Sequence, residues 1–220
     1  MTSPNQDARP DRAAIDHLVL HYTGMRSAEA AIARLCDPAA KVSSHYVVEE
    51  DGAIHALVPE DRRAWHAGVS VWRGARALND RSIGIEIVNP GHEFGYRGFP
   101  AEQVDAVVSL CRAILARHPI PPRNVVAHSD IAPDRKQDPG ELFPWSWLAE
   151  RGVGLWCRGI APVGDVMAAL AAIGYDISLD PAAVVAAFQR RFRPARVDGI
   201  ADAETAGRAA AIRGLVSSSA

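Results

Sequence analysis

The stretch 125–140, V-V-A-H-S-D-I-A-P-D-R-K-Q-D-P-G, constrains the fold more than any other part of the chain. It opens with a short β-rich run, Val125–Ala127, that delivers His128 at its end. A turn-rich loop follows, punctuated by Pro133, Asp134, Pro139 and Gly140. Lys136 and Asp138 lie inside this loop, Asp138 ten residues beyond the histidine. A strand end that presents an imidazole, with a loop able to fold a carboxylate back beside it, suits a metal site. Zinc accepts His nitrogen and Asp oxygen, and a catalytic zinc takes three protein ligands and keeps one position open. The stretch supplies two ligands. The third must come from another part of the chain.

His21 is the candidate. Residues 15–21, I-D-H-L-V-L-H, alternate in the strand manner and are closed by Tyr22-Thr23-Gly24, which puts His21 at a strand end as well. Ser27 then caps a helix running to Cys36. Residues 45–49 and 53–58 read as two strands joined by a Glu50-Asp51-Gly52 hairpin turn. A loop follows, with A-W-H-A-G at 64–68 and a polar segment through Asn79. Residues 82–88, S-I-G-I-E-I-V, form the most apolar strand, with Glu86 inside it.

Pro100 opens the longest helix, expected to reach Arg117, with Val104, Val107, Val108, Cys111, Ile114 and Leu115 on one face. A short helix spans 145–151. Strands interspersed with helices, several of them hairpin-linked, give an α/β (mixed α+β) class: a central mixed β-sheet flanked by helices over residues 12–151. After a connector at 152–162, residues 163–213 are Ala-rich, with helical spacing at 166–173, 181–192 and 203–212. This three-helix unit is small for independent stability and is expected to pack as an appendage. Residues 1–11 and the last five are expected to be loose.

A net charge of −2 gives no general attraction to nucleic acid, and no apolar run approaches a membrane span. The three cysteines, Cys36, Cys111 and Cys157, are scattered and form no C-x-x-C pair, so they read as buried reduced thiols. The first dozen residues hold no apolar leader, which makes the cytoplasm the expected location.

His21, His128 and Asp138 together would make a His/His/Asp zinc site with a fourth position for water, whose pKa zinc brings to about 7. The competing reading leaves each histidine as an ordinary core or surface imidazole. Glu86 is costly to bury unless paired or functional. Facing the metal it would take a proton from the water and pass it to a leaving amine; on an edge strand it would face solvent. Lys136 would stabilise an oxyanion, or serve as a solvated loop lysine. His45 and His66 could each be a ligand in a differently assembled site or a hydrogen-bonding wall of a cleft, and with Tyr46, Trp65 and Asn79 they are the candidate substrate contacts. Trp72 could join them in stacking on a sugar, though aromatic residues are more often core. His17, His55, His92 and His118 read as bystanders.

Five motifs in order, L-H-Y-T at 20–23, S-S-H-Y at 43–46, A-W-H-A-G at 64–68, N-D-R-S-I-G-I-E at 79–86 and H-S-D-I-A-P-D-R-K-Q-D-P-G at 128–140, resemble the zinc N-acetylmuramoyl-L-alanine amidases of the AmpD/AmiD type, the type-2 amidase family. The resemblance covers most of residues 12–151. It implies one Zn2+ at His21, His128 and Asp138, with catalytic roles for Glu86 and Lys136. It also implies a fold like that of T7 lysozyme and the peptidoglycan-recognition proteins. The bond cut would be the amide between the lactyl group of N-acetylmuramic acid, expected in its 1,6-anhydro form, and the L-alanine of the stem peptide. The partners implied are muropeptides or peptidoglycan fragments.

One departure is Asp134, where the family commonly has glycine. In the tail, A-F-Q-R-R-F at 187–192 and D-G-I-A-D-A-E-T at 198–205 resemble the three-helix peptidoglycan-binding domain. That likeness points to the polymer, and so to a periplasmic or envelope location, against the cytoplasm expected from the N-terminus. Two other functions stand beside the amidase: a recognition module without catalysis, and a zinc peptidase acting within the stem peptide.

Overall fold

Three parallel strand ends, brought level by the register of the sheet, set the architecture. The computed structural model describes residues 2–11, 13–162 and 164–218. The domain limits expected at residues 12 and 163 fall on positions outside these, as do the last two residues of the tail. The elements in order are β1 (Gln6–Ala8), β2 (His17–Tyr22), α1 (Ala28–Cys36), β3 (Tyr46–Val48), β4 (Ile54–Ala56), β5 (Arg62–Ala64), β6 (Val71–Trp72), β7 (Ala75–Arg76) and β8 (Ser82–Ile87). Then come α2 (Gly91–Phe94), α3 (Ala101–Arg117), β9 (Val125–Ala127), α4 (His128–Ile131), α5 (Trp145–Glu150), α6 (Val166–Ile173), α7 (Pro181–Phe192) and α8 (Ala203–Ser218).

The central sheet runs in the order β4-β3-β8-β2-β9. β8 is parallel to both β3 and β2, β2 is parallel to β9, and the β3–β4 hairpin is antiparallel. The sheet is therefore mixed, as expected. Because side chains alternate across a strand, Leu18, Leu20, Ile83, Ile85, Ile87, Val125 and Ala127 all point to one face. There they meet Val104, Val107, Val108, Cys111 and Ile114 of α3 together with Trp145 and Leu148 of α5. The apolar stripe read from α3 is the one buried.

The opposite face is shared. Val19 and Val126 pack against Leu170, Ile173, Val184, Phe188 and Ile212 of the three C-terminal helices. Leu35 of α1 covers Val47 of β3. Between these two covers the sheet is open at the carboxyl ends of its parallel strands, the usual place for a ligand in such a sheet. No helix among the described residues is long and apolar enough to cross a membrane.

The tail is tied to the sheet by charge as well as by apolar contact. Arg191 of α7, 3% exposed, donates to Asp130 Oδ2 at 2.6 Å and to the Val125 carbonyl at 3.0 Å. Tyr175 donates to the other Asp130 oxygen at 2.6 Å.

Several expectations are corrected. The N-terminal segment is not loose: β1 pairs with β5, Ser3 and Asn5 are buried, and Arg9 donates to the carbonyls of Glu60, Asn79, Asp80 and Ser82. α8 continues through Ser218 instead of ending near 212. The loop after His128 begins with a helical turn, α4, because the Asp130 carboxylate turns back to accept the Ala127 N–H at 2.9 Å. Of the cysteines, all free, Cys111 is buried as expected, whereas Cys36 and Cys157 are partly exposed.

Candidate active site

Register places the chemistry. His21 is paired with Glu86 across β2 and β8, and Leu20 with Ala127 across β2 and β9, so His21, Glu86 and His128 reach the same level of the sheet. His21, odd in β2, and Glu86, even in β8, share the face of Val19 and Val126, away from α3, and His128 follows directly on the end of β9 as the first residue of α4. Glu86 thus lies on a central strand, and the solvated-edge reading of it does not hold. Its strand reads as apolar because Ile83, Ile85 and Ile87 fill the α3 face, while Ser82, Gly84 and Glu86 form the other.

The loop after α4 returns Asp138 to the two histidines. His21 Nδ1 lies 2.9 Å from His128 Nδ1, and each lies 3.0 Å from Asp138 Oδ2. These three atoms form the cluster suited to a metal among the described residues. They make a nearly equilateral triangle of two nitrogens and one oxygen, in which a single proton cannot satisfy all three lone pairs. A tetrahedral zinc with bonds of about 2.0 Å has corners about 3.3 Å apart. The donor set fits a zinc ion with little adjustment.

Burial, then the neighbouring His128, pushes His21 down to about 4, so it stays neutral at pH 7. Burial alone would raise the Asp138 carboxyl, but contact with His128 and His21 holds it far below the carboxylate range. A neutral imidazole and an ionised carboxylate are the forms a cation needs.

A cleft of about 390 Å³ opens over this triangle. Its lining includes Trp65, His66, Glu86, His128, Lys136 and Asp138. Glu86 Oε2 is buried without a hydrogen-bond partner among the described residues. Burial, and then the Asp138 carboxylate, hold Glu86 well above the usual carboxylate range, and the Lys136 ammonium opposes this. An unpaired carboxylate facing a cleft is expensive as structure and useful as a base.

The expected substrate contacts divide. Trp65 and His66 line the cleft, and the Trp65 indole is fixed by donation to Asp7 Oδ2 at 2.7 Å. The structure does not bring His45, Tyr46 or Asn79 to the cleft lining. His45 is fully buried, with Nδ1 accepting from Gly84 N–H at 2.9 Å and Nε2 3.1 Å from the Arg62 carbonyl. Tyr46 pairs with Ile85, which turns it to the α3 face, where its hydroxyl donates to Glu60. Asn79 Oδ1 accepts the backbone N–H groups of His66 and Ala67.

Trp72 is core, packed edge-on against Tyr175. Among the bystanders, His17 pairs with Asp16, His55 with Glu49, and His118 with Glu60, while His92 bridges Tyr22 and Glu141.

Tyr22, Thr23, Arg34 and Gln137 also line the cleft and had not been expected there. Tyr22 and Gln137 adjoin the ligands His21 and Asp138, a signal open to a sequence reader. Arg34 comes from α1 and carried none. Asp134 is exposed and its φ is not positive, so aspartate in place of the family's glycine meets no backbone strain.

Residues 11–141 match the model of the N-acetylmuramoyl-L-alanine amidase family. The chain is 42% identical to N-acetylmuramoyl-L-alanine amidase AmiD of Escherichia coli, over 86% of this chain and 78% of that protein. It is 37% identical to 1,6-anhydro-N-acetylmuramyl-L-alanine amidase AmpD of Escherichia coli, over 66% of this chain and 86% of that one. The solved complex of Escherichia coli AmiD with anhydro-N-acetylmuramic acid-L-Ala-D-γ-Glu-L-Lys superposes with a TM-score of 0.82 at 41% identity, covering 94% of this chain and 93% of that one. AmpDh3 from Pseudomonas aeruginosa in complex with anhydromuramic pentapeptide superposes with a TM-score of 0.83 at 34% identity, covering 98% of each.

Proposed function

The chain belongs to the N-acetylmuramoyl-L-alanine amidase family, and we propose that it uses one zinc ion, held by His21, His128 and Asp138, to cut the amide between 1,6-anhydro-N-acetylmuramic acid and the L-alanine of a stem peptide. The observation that carries the metal reading is the triangle of ligand atoms, 2.9 to 3.0 Å on a side, at the floor of the cleft. The anhydro sugar is favoured by the likeness to AmpD and by the substrate bound in the AmiD complex.

Zinc in this site supplies Lewis acidity, making a water acidic and a carbonyl electrophilic. The remaining work falls to side chains. Glu86 accepts a proton from the attacking water through its unpaired Oε2 and delivers it to the alanine nitrogen as the carbon–nitrogen bond breaks. A carboxyl held above its usual range suits both halves of that transfer. Lys136, on the cleft wall, places an ammonium where the carbonyl oxygen gains negative charge. Trp65 offers an indole face to the sugar or to the peptide stem.

Mass spectrometry of an anhydro-muropeptide incubated with the protein tests this reading. Free anhydro-sugar and intact stem peptide are expected, lost with a chelator and restored by zinc. Cleavage within the stem would make the protein a peptidase, and a bound but uncut substrate a recognition module. Glu86→Ala is expected to abolish turnover while zinc still binds, and Asp138→Ala to lose both.

A further inference from the structure

We infer that the loop holding Trp65, His66 and Ala67 sets the tautomers of both metal-binding histidines, with Ser82 as the residue that fixes the direction of the chain. The inference rests on the metal reading of His21 and His128 and adds to it two positioning residues, His66 and Ser82. His66 had been expected to touch substrate. Its ring nitrogens are committed elsewhere.

The argument starts where no choice exists. The Leu78 carbonyl can only accept, and the single hydroxyl proton of Ser82 is given to it at 2.6 Å. Ser82 Oγ must then accept at its contact with His66 Nε2, 3.1 Å away. His66 therefore carries its proton on Nε2 and presents a bare Nδ1. That Nδ1 lies 3.0 Å from His21 Nε2, so His21 is the donor there. A neutral His21 with its proton on Nε2 turns a bare Nδ1 to the site, where His128 and Asp138 meet it.

The second ligand is set by the next residue of the same loop. The Ala67 carbonyl lies 3.3 Å from His128 Nε2 and takes its proton, which leaves His128 Nδ1 bare as well. With either ligand in the other tautomer, an N–H would point into the site and one lone pair would be lost to the metal. A hydrogen bond at the far ring nitrogen is what decides between the two forms.

The loop is itself clamped. Asn79 Oδ1 accepts from both His66 N–H, at 3.1 Å, and Ala67 N–H, at 2.7 Å. The His66 ring lies against the backbone of β8 at Gly84, where a Cβ would come within 2.5 Å of it. Ser82, Gly84 and Glu86 alternate along one face of β8. The first directs the protons, the second makes room for the ring, and the third faces the cleft. The ring nitrogens of His66 contact no carboxylate among the described residues that would favour a second proton.

Long-range 1H–15N spectra of the zinc-bound, 15N-labelled protein distinguish Nδ1–H from Nε2–H imidazoles and show which nitrogen binds the metal. His66 is expected as Nε2–H, and His21 and His128 are expected to bind through Nδ1 with the proton on Nε2; finding His66 as Nδ1–H, or either ligand bound through Nε2, overturns the inference. Ser82→Ala cuts the chain two links away from the metal. Zinc affinity, read by competition with a chromophoric chelator, is then expected to fall about 10- to 100-fold, with His66 populating both tautomers. Ser82→Thr keeps the hydroxyl and is expected to restore both readouts. A folded Ser82→Ala protein with wild-type affinity and wild-type tautomers overturns the inference. If that variant fails to fold, the wild-type spectrum decides alone. A wild-type protein that binds no zinc sinks the metal assignment itself, a separate result from either spectrum.

Discussion

Replacing Arg191 with methionine removes the cation from a buried ion pair while keeping much of the side-chain volume. Arg191 is 3% exposed and Asp130 is fully buried. Their contact is 2.6 Å, and the guanidinium also donates to the Val125 carbonyl and lies 4.1 Å over the Trp145 ring. In Arg191→Met, Asp130 keeps the Tyr175 hydroxyl and the Ala127 N–H but loses the charge that balances it. Removing one partner of a buried pair costs about 3–5 kcal/mol, because the other charge stays behind. For a chain of this size 1 kcal/mol shifts the melting temperature by about 2–4 °C, so a fall of roughly 6–20 °C is expected. Asp130→Asn added to Arg191→Met removes the stranded charge and is expected to recover most of the loss. Urea unfolding at pH 7 of the two single variants and the double variant measures the coupling. Asp130 holds the N–H of the residue before His128, so Arg191→Met is also expected to weaken zinc binding below its melting temperature. A loss under about 1 kcal/mol in Arg191→Met, or no recovery in the double variant, refutes the account of the tail as a brace for the metal loop.

Three further outcomes are expected. Lys136→Met should lower kcat on an anhydro-muropeptide by about 10²- to 10³-fold, and a kcat within a few-fold of wild type would remove the lysine from the mechanism. Gly84→Ala drives a Cβ into the His66 ring and should cost about 1–3 kcal/mol by overpacking, seen as an earlier urea midpoint together with weaker zinc binding. The third concerns acid. Burial would raise the Glu60 carboxyl, but hydrogen bonds from Arg117, Tyr46 and His118 push it down to about 2 from the usual 4.5. A carboxylate depressed in the folded state stabilises above its unfolded pKa, and that stability is lost as pH falls from 4.5 towards 2. Glu60→Gln should flatten the melting curve across that window, and an unchanged slope would show that other groups carry the acid sensitivity.

The elements that could be read from sequence are those with a local cause. Ser27 accepts the Ala30 N–H, as its position before an apolar helical run suggests. α3 buries the stripe that its 3- and 4-residue spacing defines. β2 was legible from its alternation, and β8 and β9 as apolar runs, each followed by turn residues. The short pairs β1–β5 and β6–β7 were not, since three or two residues carry no periodicity. Arg9 is the sharpest case. A lone arginine in a polar N-terminal segment looks solvated, yet the carbonyls it satisfies come from residues 60 to 82.

The sequence by itself determined the residue types of the site and their places at strand ends: His21, Glu86, His128, and a loop able to return Lys136 and Asp138. Alternation within a strand is local, so a pattern such as I-G-I-E-I already separates its two faces. Which face is the cleft, and what stands beside each residue, depends on pairing between distant strands. Only the tertiary structure sent Tyr46 to the α3 face, buried His45 away from the cleft lining, and set His66, at the cleft wall, against His21. The reason is physical. A side chain's chemistry travels with the residue, but its hydrogen-bond partner is chosen by register and packing, over separations of 45 residues for His66 with His21 and 61 for Arg191 with Asp130.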